Sequence, residues 1–300
     1  MKKTSLILIL IIGIAFTVSA ARAQDGLALM KVEVGARPAA MGGAFVSVQG
    51  DPMSAVYNPA GATGTSKFSA SFGHIEYWDN IRLETGYFSA RSTNRLFLHG
   101  GIKYAAVSDL ERRVDPTSQA DLFSAHDVSF KGGLAYRITD KISAGFGIGW
   151  FVEKIESYRG SAFNADFGII AAVRPGLNLG ASMTNFGSDF RLGFPGGQTS
   201  EYISLPTTYR VGGSYRFKDY LGAMDIVVLD DKAHAHFGAE ANLHEYLSLR
   251  AGYMTGYDTK NFTAGASFYW TQYNLAIDYA FVPYSDNLGT THLVNITFGI

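Results

Sequence analysis

The sequence predicts an all-β fold: a transmembrane antiparallel β-barrel of about 14 strands, with a small N-terminal plug containing short helices. Three observations predict it: an export signal, long strands of alternating polarity, and aromatic residues gathered near strand ends. A water-soluble sandwich also alternates, so alternation alone decides nothing. The combination selects a barrel of a bacterial outer membrane, with both termini expected on the periplasmic side.

Residues 1–23 read as a signal peptide. Lys2 and Lys3 form the basic end, Leu6 to Val18 the apolar stretch, and Ala21-Arg22-Ala23 the small-x-small site before Gln24. The apolar stretch is short for a retained spanning helix. The chain has no cysteine, which excludes a lipid-modified N-terminal cysteine and any disulfide framework.

Residues 24–65 differ in kind from the alternating strands of the barrel. Gly35 to Val46 is rich in small residues, and Asp51-Pro52 reads as an N-cap followed by proline at the first helical position, starting a helix through Tyr57. Asn58-Pro59 ends it, because the residue before proline is pushed out of the helical region. Inward strand positions are often glycine, as at Gly145, Gly180 and Gly252, which leaves room in a lumen wide enough to need filling. The segment is therefore expected inside the barrel formed by residues 66–300.

Strands are expected at about 66–77, 81–91, 95–106, 126–138, 141–154, 161–174, 176–186, 206–217, 220–229, 233–243, 245–254, 260–270, 272–282 and 292–300. Connections after even strands are short, and several after odd strands are long (107–125, 187–205 and 283–291), as periplasmic turns and outer loops should be. Parity assigns the faces. Strand 6 turns Phe163, Ala165, Phe167, Ile169, Ala171 and Val173 outward and Asn164, Asp166 and Gly168 inward. Strand 10 turns Phe237 outward and His234, His236, Glu240 and Asn242 inward; strand 13 turns Tyr273, Leu275, Ile277, Tyr279 and Phe281 outward. Two aromatic girdles result, one at the turn side (Tyr136, Phe217, Tyr220, Tyr246, Trp270, Tyr273), the other at the loop side (Tyr77, Trp78, Tyr104, Trp150, Tyr253, Phe281). The closing strand sets Val294, Ile296, Phe298 and Ile300 against Asn295, Thr297 and Gly299.

Composition excludes other classes. The chain is 47% hydrophobic, yet the mature part has no run long enough for a spanning helix, so its apolar residues are spread by alternation. A net charge of −1 gives no basic footprint, and no nucleic-acid partner is expected. His234 and His236 with Glu240 could suggest a metal site, but lumen histidines satisfied by neighbouring carboxylates are commoner; no metal and no cofactor are expected. Gly145-Phe146-Gly147-Ile148-Gly149 lies within a strand and offers no helix N-terminus to a phosphate. No Ser/His/Asp arrangement shares a strand height, so no catalytic residue is assigned and the chain is not expected to be an enzyme. Inward charges of both signs, Lys103, Lys131, Arg137, Arg210, Arg216 and Arg250 against Glu153, Asp166, Asp225, Glu240 and Asp278, read as a neutralising network that holds plug to wall.

The segment Met41-Gly42-Gly43-Ala44-Phe45-Val46, the helix from Asp51, and Asn58-Pro59-Ala60-Gly61 resemble the N-terminal hatch of the FadL-like outer-membrane proteins. The approach Leu288-Gly289-Thr290-Thr291-His292 to the last strand resembles the PorV/PorQ branch more narrowly. The resemblance implies a fourteen-stranded barrel and a hatch motif at Met41, Gly42, Gly43, Phe45, Asp51, Asn58 and Pro59. The PorV/PorQ branch implies service to the type IX secretion system, handling cargo or its surface attachment, with secretion-system proteins or exported cargo as partners. The wider FadL resemblance implies passive transport of long-chain fatty acids or other hydrophobic ligands. One departure stands out: the chain ends in Ile300 where assembly signals usually end in an aromatic residue, with Phe298 as its substitute.

Three classes of function remain open: a secretion component, a passive hydrophobic transporter, and a purely structural barrel. Outer-membrane lipid is the partner common to all. The secretion reading comes first. Phe190, Leu192 and Phe194, in a loop rich in Phe and Gly, are the candidate residues for docking a partner or capturing a greasy ligand.

Overall fold

The computed structural model describes residues 27, 30–77, 81–113, 115 and 118–299. The expected signal peptide, Trp78 and Ile300 lie outside them. The strands are β1 (Phe68–Glu76), β2 (Ile81–Arg91), β3 (Leu96–Arg112), β4 (Asp121–Arg137), β5 (Ile142–Ile155), β6 (Tyr158–Arg174), β7 (Leu177–Gly187), β8 (Thr208–Phe217), β9 (Tyr220–Leu229), β10 (Lys232–His244), β11 (Leu247–Thr255), β12 (Phe262–Trp270), β13 (Leu275–Pro283) and β14 (Thr290–Gly299). Each pairs antiparallel with its sequence neighbours, and β1 closes the barrel on β14 through Ser69↔Gly299 to Glu76↔His292. Closure leaves no sheet edge, as a lipid-facing sheet requires. Among the described residues no helix is long and apolar enough to cross a membrane.

The faces follow the expected parity. Phe163 is 73% exposed while its neighbours Ala162 and Asn164 are buried, and Val294 and Ile296 face out while Leu293 and Asn295 face in. The register breaks at β3–β4, β6–β7 and β10–β11, and elsewhere the paired rows run on without a shift except at a second β6–β7 step near Arg174.

Several expectations are corrected. β3 and β4 run past the membrane-length segment, shrinking the expected 107–125 loop to 113–120, because polar pairs such as Arg112–Asp121 continue the hairpin into water. β13 begins at Leu275: Thr271–Tyr273 form a 3₁₀ turn, and Asn274 takes a left-handed conformation at φ 50°. Tyr77 leaves the outer girdle, since its position continues the inward parity of Ile75 and its ring packs on the buried cluster of Ile75, Leu83 and Leu293.

Before β1 come α1 (Ala36–Ala40), α2 (Ser54–Tyr57) and a 3₁₀ helix (Pro59–Gly64). α2 starts later than expected, because the Asp51 carboxylate accepts from Met53 N at 2.8 Å in a turn ahead of the helix. Asn58 ends α2 in an extended conformation, and its side chain accepts from Ala60 N to start the 3₁₀ helix. α1 had no sequence counterpart; Gly35, at φ 89°, makes the bend into it.

Candidate functional site

The N-terminal segment occupies the lumen and touches the wall all round. Ala36 N donates to Asn295 on β14, and Gly42 N to Thr263 on β12. Phe45 N and Val46 N both donate to one oxygen of Asp225 on β9, at 2.7 and 2.8 Å. Ser182 on β7 donates to Tyr57 O, and Arg137 on β4 to Thr63 O. Asn58 Nδ2 donates to Val46 O at 2.8 Å and Ile169 O at 3.1 Å, so one amide stitches the segment to itself and to β6.

The inward glycines admit this backbone. A Cβ on Gly145 would lie 2.3 Å from Ala60 N, and one on Gly252 2.1 Å from Gly42 N. The room they leave is filled by main chain rather than left as pore.

The hatch-motif residues converge. Met41 and Phe45 pack with Val48, Tyr57 and Leu221; Gly42 and Gly43 turn at φ 62° and 71°; Asp51, Asn58 and Pro59 are buried around α2. Glu240 is the centre of the ionic contacts, and Arg37, which sequence reasoning passed over, ties the segment to it. Arg37 pairs with Glu240 and Asp51, while Arg250 joins Glu240 to Asp278 and Arg216 also reaches Glu240. Burial opposes the charge on Arg37, but Glu240 and Asp51 outweigh it, and the guanidinium is held above its ordinary pKa. Lys131 pairs with Asp166, and Asp166 also accepts from Asn185 N at the β7 bulge. The arginine could have been found from its position one residue before Pro38, in a segment otherwise without charge between Glu33 and Asp51.

Towards the loop end, Glu33 pairs with Lys260 and Lys31 with Asp230. Burial alone would raise the Glu33 pKa, but Lys260 and His236 leave it lowered. Above them Leu27 and Met30 pack with Phe151, Ala162, Phe190 and Leu205. Phe190 is 5% exposed, its ring edge-on to Phe151 at 6.0 Å, and Phe194 sits edge-on to Tyr158 at 4.8 Å. Leu192 packs partly buried on the same cluster. The 188–207 connection thus folds down as a roof: the apolar Met30 and Phe151 beneath draw Phe190 inward, while Leu192 and Phe194 stay partly exposed.

Under the roof lies a small lumen cavity of ≈ 50 Å³, most of the space being taken up by the side chains that line it. Met30, Val32, Val34, Val56 and Tyr57 supply its apolar lining, Lys31, Lys103, Lys131 and Arg210 its cations, and Glu33 an anion. It adjoins the place where β7–β8 pairing stops, at Thr184↔Thr208, while β6–β7 continues to Gly187.

His234 and His236 do not gather ligands. His234 stacks on Tyr257 at 3.9 Å, His236 meets the Tyr257 hydroxyl at 2.9 Å, and Glu240 belongs to the arginines. Among the described residues no group of three or more His, Cys, Asp or Glu could hold a metal.

No protein-family model matches the sequence, and no curated protein does. Solved structures do match. The toluene transporter TodX of Pseudomonas putida superposes with a TM-score of 0.65 at 12% identity, over 89% of this chain and 98% of that one. The toluene transporter TbuX of Ralstonia pickettii gives 0.60 at 15% identity, over 88% and 96%. A Pseudomonas aeruginosa FadL homologue gives 0.58 at 12% identity, over 87% and 96%. The chain has the fold of these outer-membrane channels. That likeness is one of fold, and it gives the PorV/PorQ branch no separate support.

Proposed function

We propose that this barrel is a passive channel for small hydrophobic molecules in the bacterial outer membrane, with residues 24–65 as its hatch. The loop end faces outward and the turn end, where β14 finishes, faces the periplasm. One observation carries the reading. Met30 belongs both to the apolar roof with Phe190 and to the lining of the cavity below, so a greasy molecule captured at the roof has a continuous apolar contact into the lumen. The mixed lining suits a hydrophobe with a polar end. Structural neighbours described as toluene transporters support the direction of this reading.

The hatch fills the lumen below the cavity, so passage needs the hatch to shift or the molecule to leave sideways beside Thr184 and Thr208. The secretion-system role that the PorV/PorQ resemblance implies ranks second, since Phe190, one of the three candidate loop residues, is inside the roof.

A cysteine pair tests the channel. A Cβ on Gly238 would stand 2.6 Å from Met41 O and 2.9 Å from Met41 Cβ, nearer than a disulfide needs, so the two cysteines come into bonding range once the hatch and β10 part slightly. The chain has no cysteine of its own to interfere. Met41→Cys with Gly238→Cys should block uptake of labelled toluene and of a medium-chain fatty acid when oxidised, and restore it on reduction. Uptake that ignores the lock, and equals that of cells lacking the protein, would overturn the channel reading.

A further inference from the structure

The outward wall of β4, β5 and β6 carries three rows of residues stacked towards the loop end. The lowest is aromatic: Phe130, Trp150 and Phe163 are register partners, all exposed, and their rings stack at 6.1 and 6.5 Å between centroids. Two positions further out stand Val128, Val152 and Ser161. The third row is basic on every strand, with His126 opposite Lys154 and Lys154 opposite Arg159. Lys154 comes four residues after Trp150, about 13 Å along the tilted strand from the aromatic girdle, which is headgroup height.

The basic row lacks a counter-charge of its own. Lys154 and Arg159 are exposed, and neither makes an ion pair among the described residues. Of the carboxylates next to Lys154 in sequence, Glu153 has the inward parity and Glu156 is taken by Arg112 at 2.7 Å. Tyr104 engages His126 through Nδ1 at 2.9 Å and leaves Nε2 for another partner. Like charges directly opposite one another on neighbouring strands destabilise a sheet. The β1–β2 wall avoids that cost, since Glu76 stands opposite Arg82 and Glu84 meets His74 at 2.7 Å.

We propose that His126, Lys154 and Arg159 hold a phosphoryl group of an outer-leaflet glycolipid of the lipid A class, with its acyl chains lying down over Val152 and Trp150. The outer leaflet of an outer membrane is built of this phosphorylated, acylated disaccharide, so it supplies the anion that the row meets. A phosphate monoester brings close to two negative charges and three acceptor oxygens. Adjacent strands lie about 4.8 Å apart, so three side chains rooted across about 10 Å converge on one such group, Arg159 with a guanidinium fork. A phospholipid diester has a single charge and fewer free oxygens, and answers the row less fully. The site rests on the outward placement of the loop end and is independent of what crosses the lumen.

The test is lipid retention by the full-length protein in detergent, counted by native mass spectrometry. Three probes are offered separately: lipid A, lipid A stripped of its phosphates by a phosphatase, and phosphatidylglycerol. The wild type should retain lipid A over either of the others. Lys154→Gln and Arg159→Gln should each lower lipid A retention roughly fivefold, the effect of one basic side chain at an anionic surface, and leave retention of the stripped form unchanged. Arg82→Gln, opposite Glu76, should retain lipid A as the wild type does. Heat-modified gel mobility confirms that each variant is folded. Detergent exposes both ends of the barrel, so a failed site and a reversed orientation are read apart. Equal retention of intact and stripped lipid A, preference for phosphatidylglycerol, unchanged retention in both the β5 and β6 variants, or an equal loss in Arg82→Gln would overturn the proposal.

Discussion

Arg37 Nε and Nη2 each donate to one oxygen of Glu240, at 2.8 and 3.0 Å, tying α1 to β10 through a two-pronged contact. Arg250 and Arg216 share the same carboxylate. The pair is unequal in what its loss exposes. Removing Arg37 leaves Glu240 two other guanidinium groups and takes one ion pair from Asp51, whereas neutralising Glu240 takes a carboxylate from three arginines at once, leaving buried Arg250 with Asp278 and Arg37 with Asp51.

Glu240→Gln is therefore expected to cost more than Arg37→Met, towards the roughly 3–5 kcal/mol typical of breaking a buried pair by removing one partner. Thermal unfolding in detergent measures the difference. Single-channel recordings should also show leak bursts in Arg37→Met, where the wall is intact but α1 is untied. Equal stability losses in both variants would mean that Glu240 has no special place in the network.

A second prediction reverses a natural expectation about β6. Ile169 faces lipid and Gly168 faces in, so serine at 168 would be expected to pass and arginine at 169 to fail. A Cβ on Gly168, however, would fall 1.9 Å from Asn58 Oδ1. Gly168→Ser must push aside the amide that donates to Val46 O and Ile169 O. Ile169→Arg should cost about 2–4 kcal/mol if near mid-bilayer and impair insertion. Gly168→Ser should insert but lose the hatch contact, seen as faster hydrogen exchange at residues 45–58. Slow exchange there in a folded Gly168→Ser barrel would sink this account.

The barrel was legible because its two faces meet different solvents, which writes a period of two into every strand; the parity of Phe163 and Asn164 shows it. Turn residues marked the short connections, and Asn58-Pro59 marked the end of α2. The extra length of β3 and β4 was not legible, because outside the membrane neither face is apolar and Arg112–Asp121 reads as loop. Phe190 could not be placed either. A phenylalanine in a glycine-rich loop looks like a presented surface until Met30 and Phe151 are known to lie under it. The same holds for Gly168, whose partner Asn58 is 110 positions earlier in the chain. Such contacts depend on the path of the hatch, and a path leaves no periodic trace.

A third prediction concerns pH. Glu33 is held below its ordinary pKa, so its contact with Lys260 is fully present above the ordinary glutamate value of about 4.3 and is lost as pH falls through the lowered one. The arm of residues 30–34 should loosen in acid, read as increased protease or hydrogen-exchange access. Glu33→Gln should already be loose at neutral pH and should flatten the profile. An identical profile in the variant would assign the acid response to another group.

The last prediction separates the two functional readings through the roof. Phe190 and Leu192 pack over Met30 and Phe151, and Phe194 on Tyr158, so serine at 190 and 192 strips apolar area from the roof while serine at 194 strips it from the loop edge. If the barrel is a hydrophobic channel, Phe190→Ser with Leu192→Ser should weaken capture and lower uptake at limiting solute, while Phe194→Ser alone changes uptake little. If the loop docks a protein, Phe194→Ser should reduce partner recovery or secretion at least as much as the inner pair, because Phe194 is the more accessible ring. Membrane-impermeant labelling of Ser285→Cys on intact cells, and of Asp219→Cys only after permeabilisation, checks the orientation that both outcomes assume. Uptake unchanged in the inner pair together with loss of secretion in Phe194→Ser would put the secretion reading first.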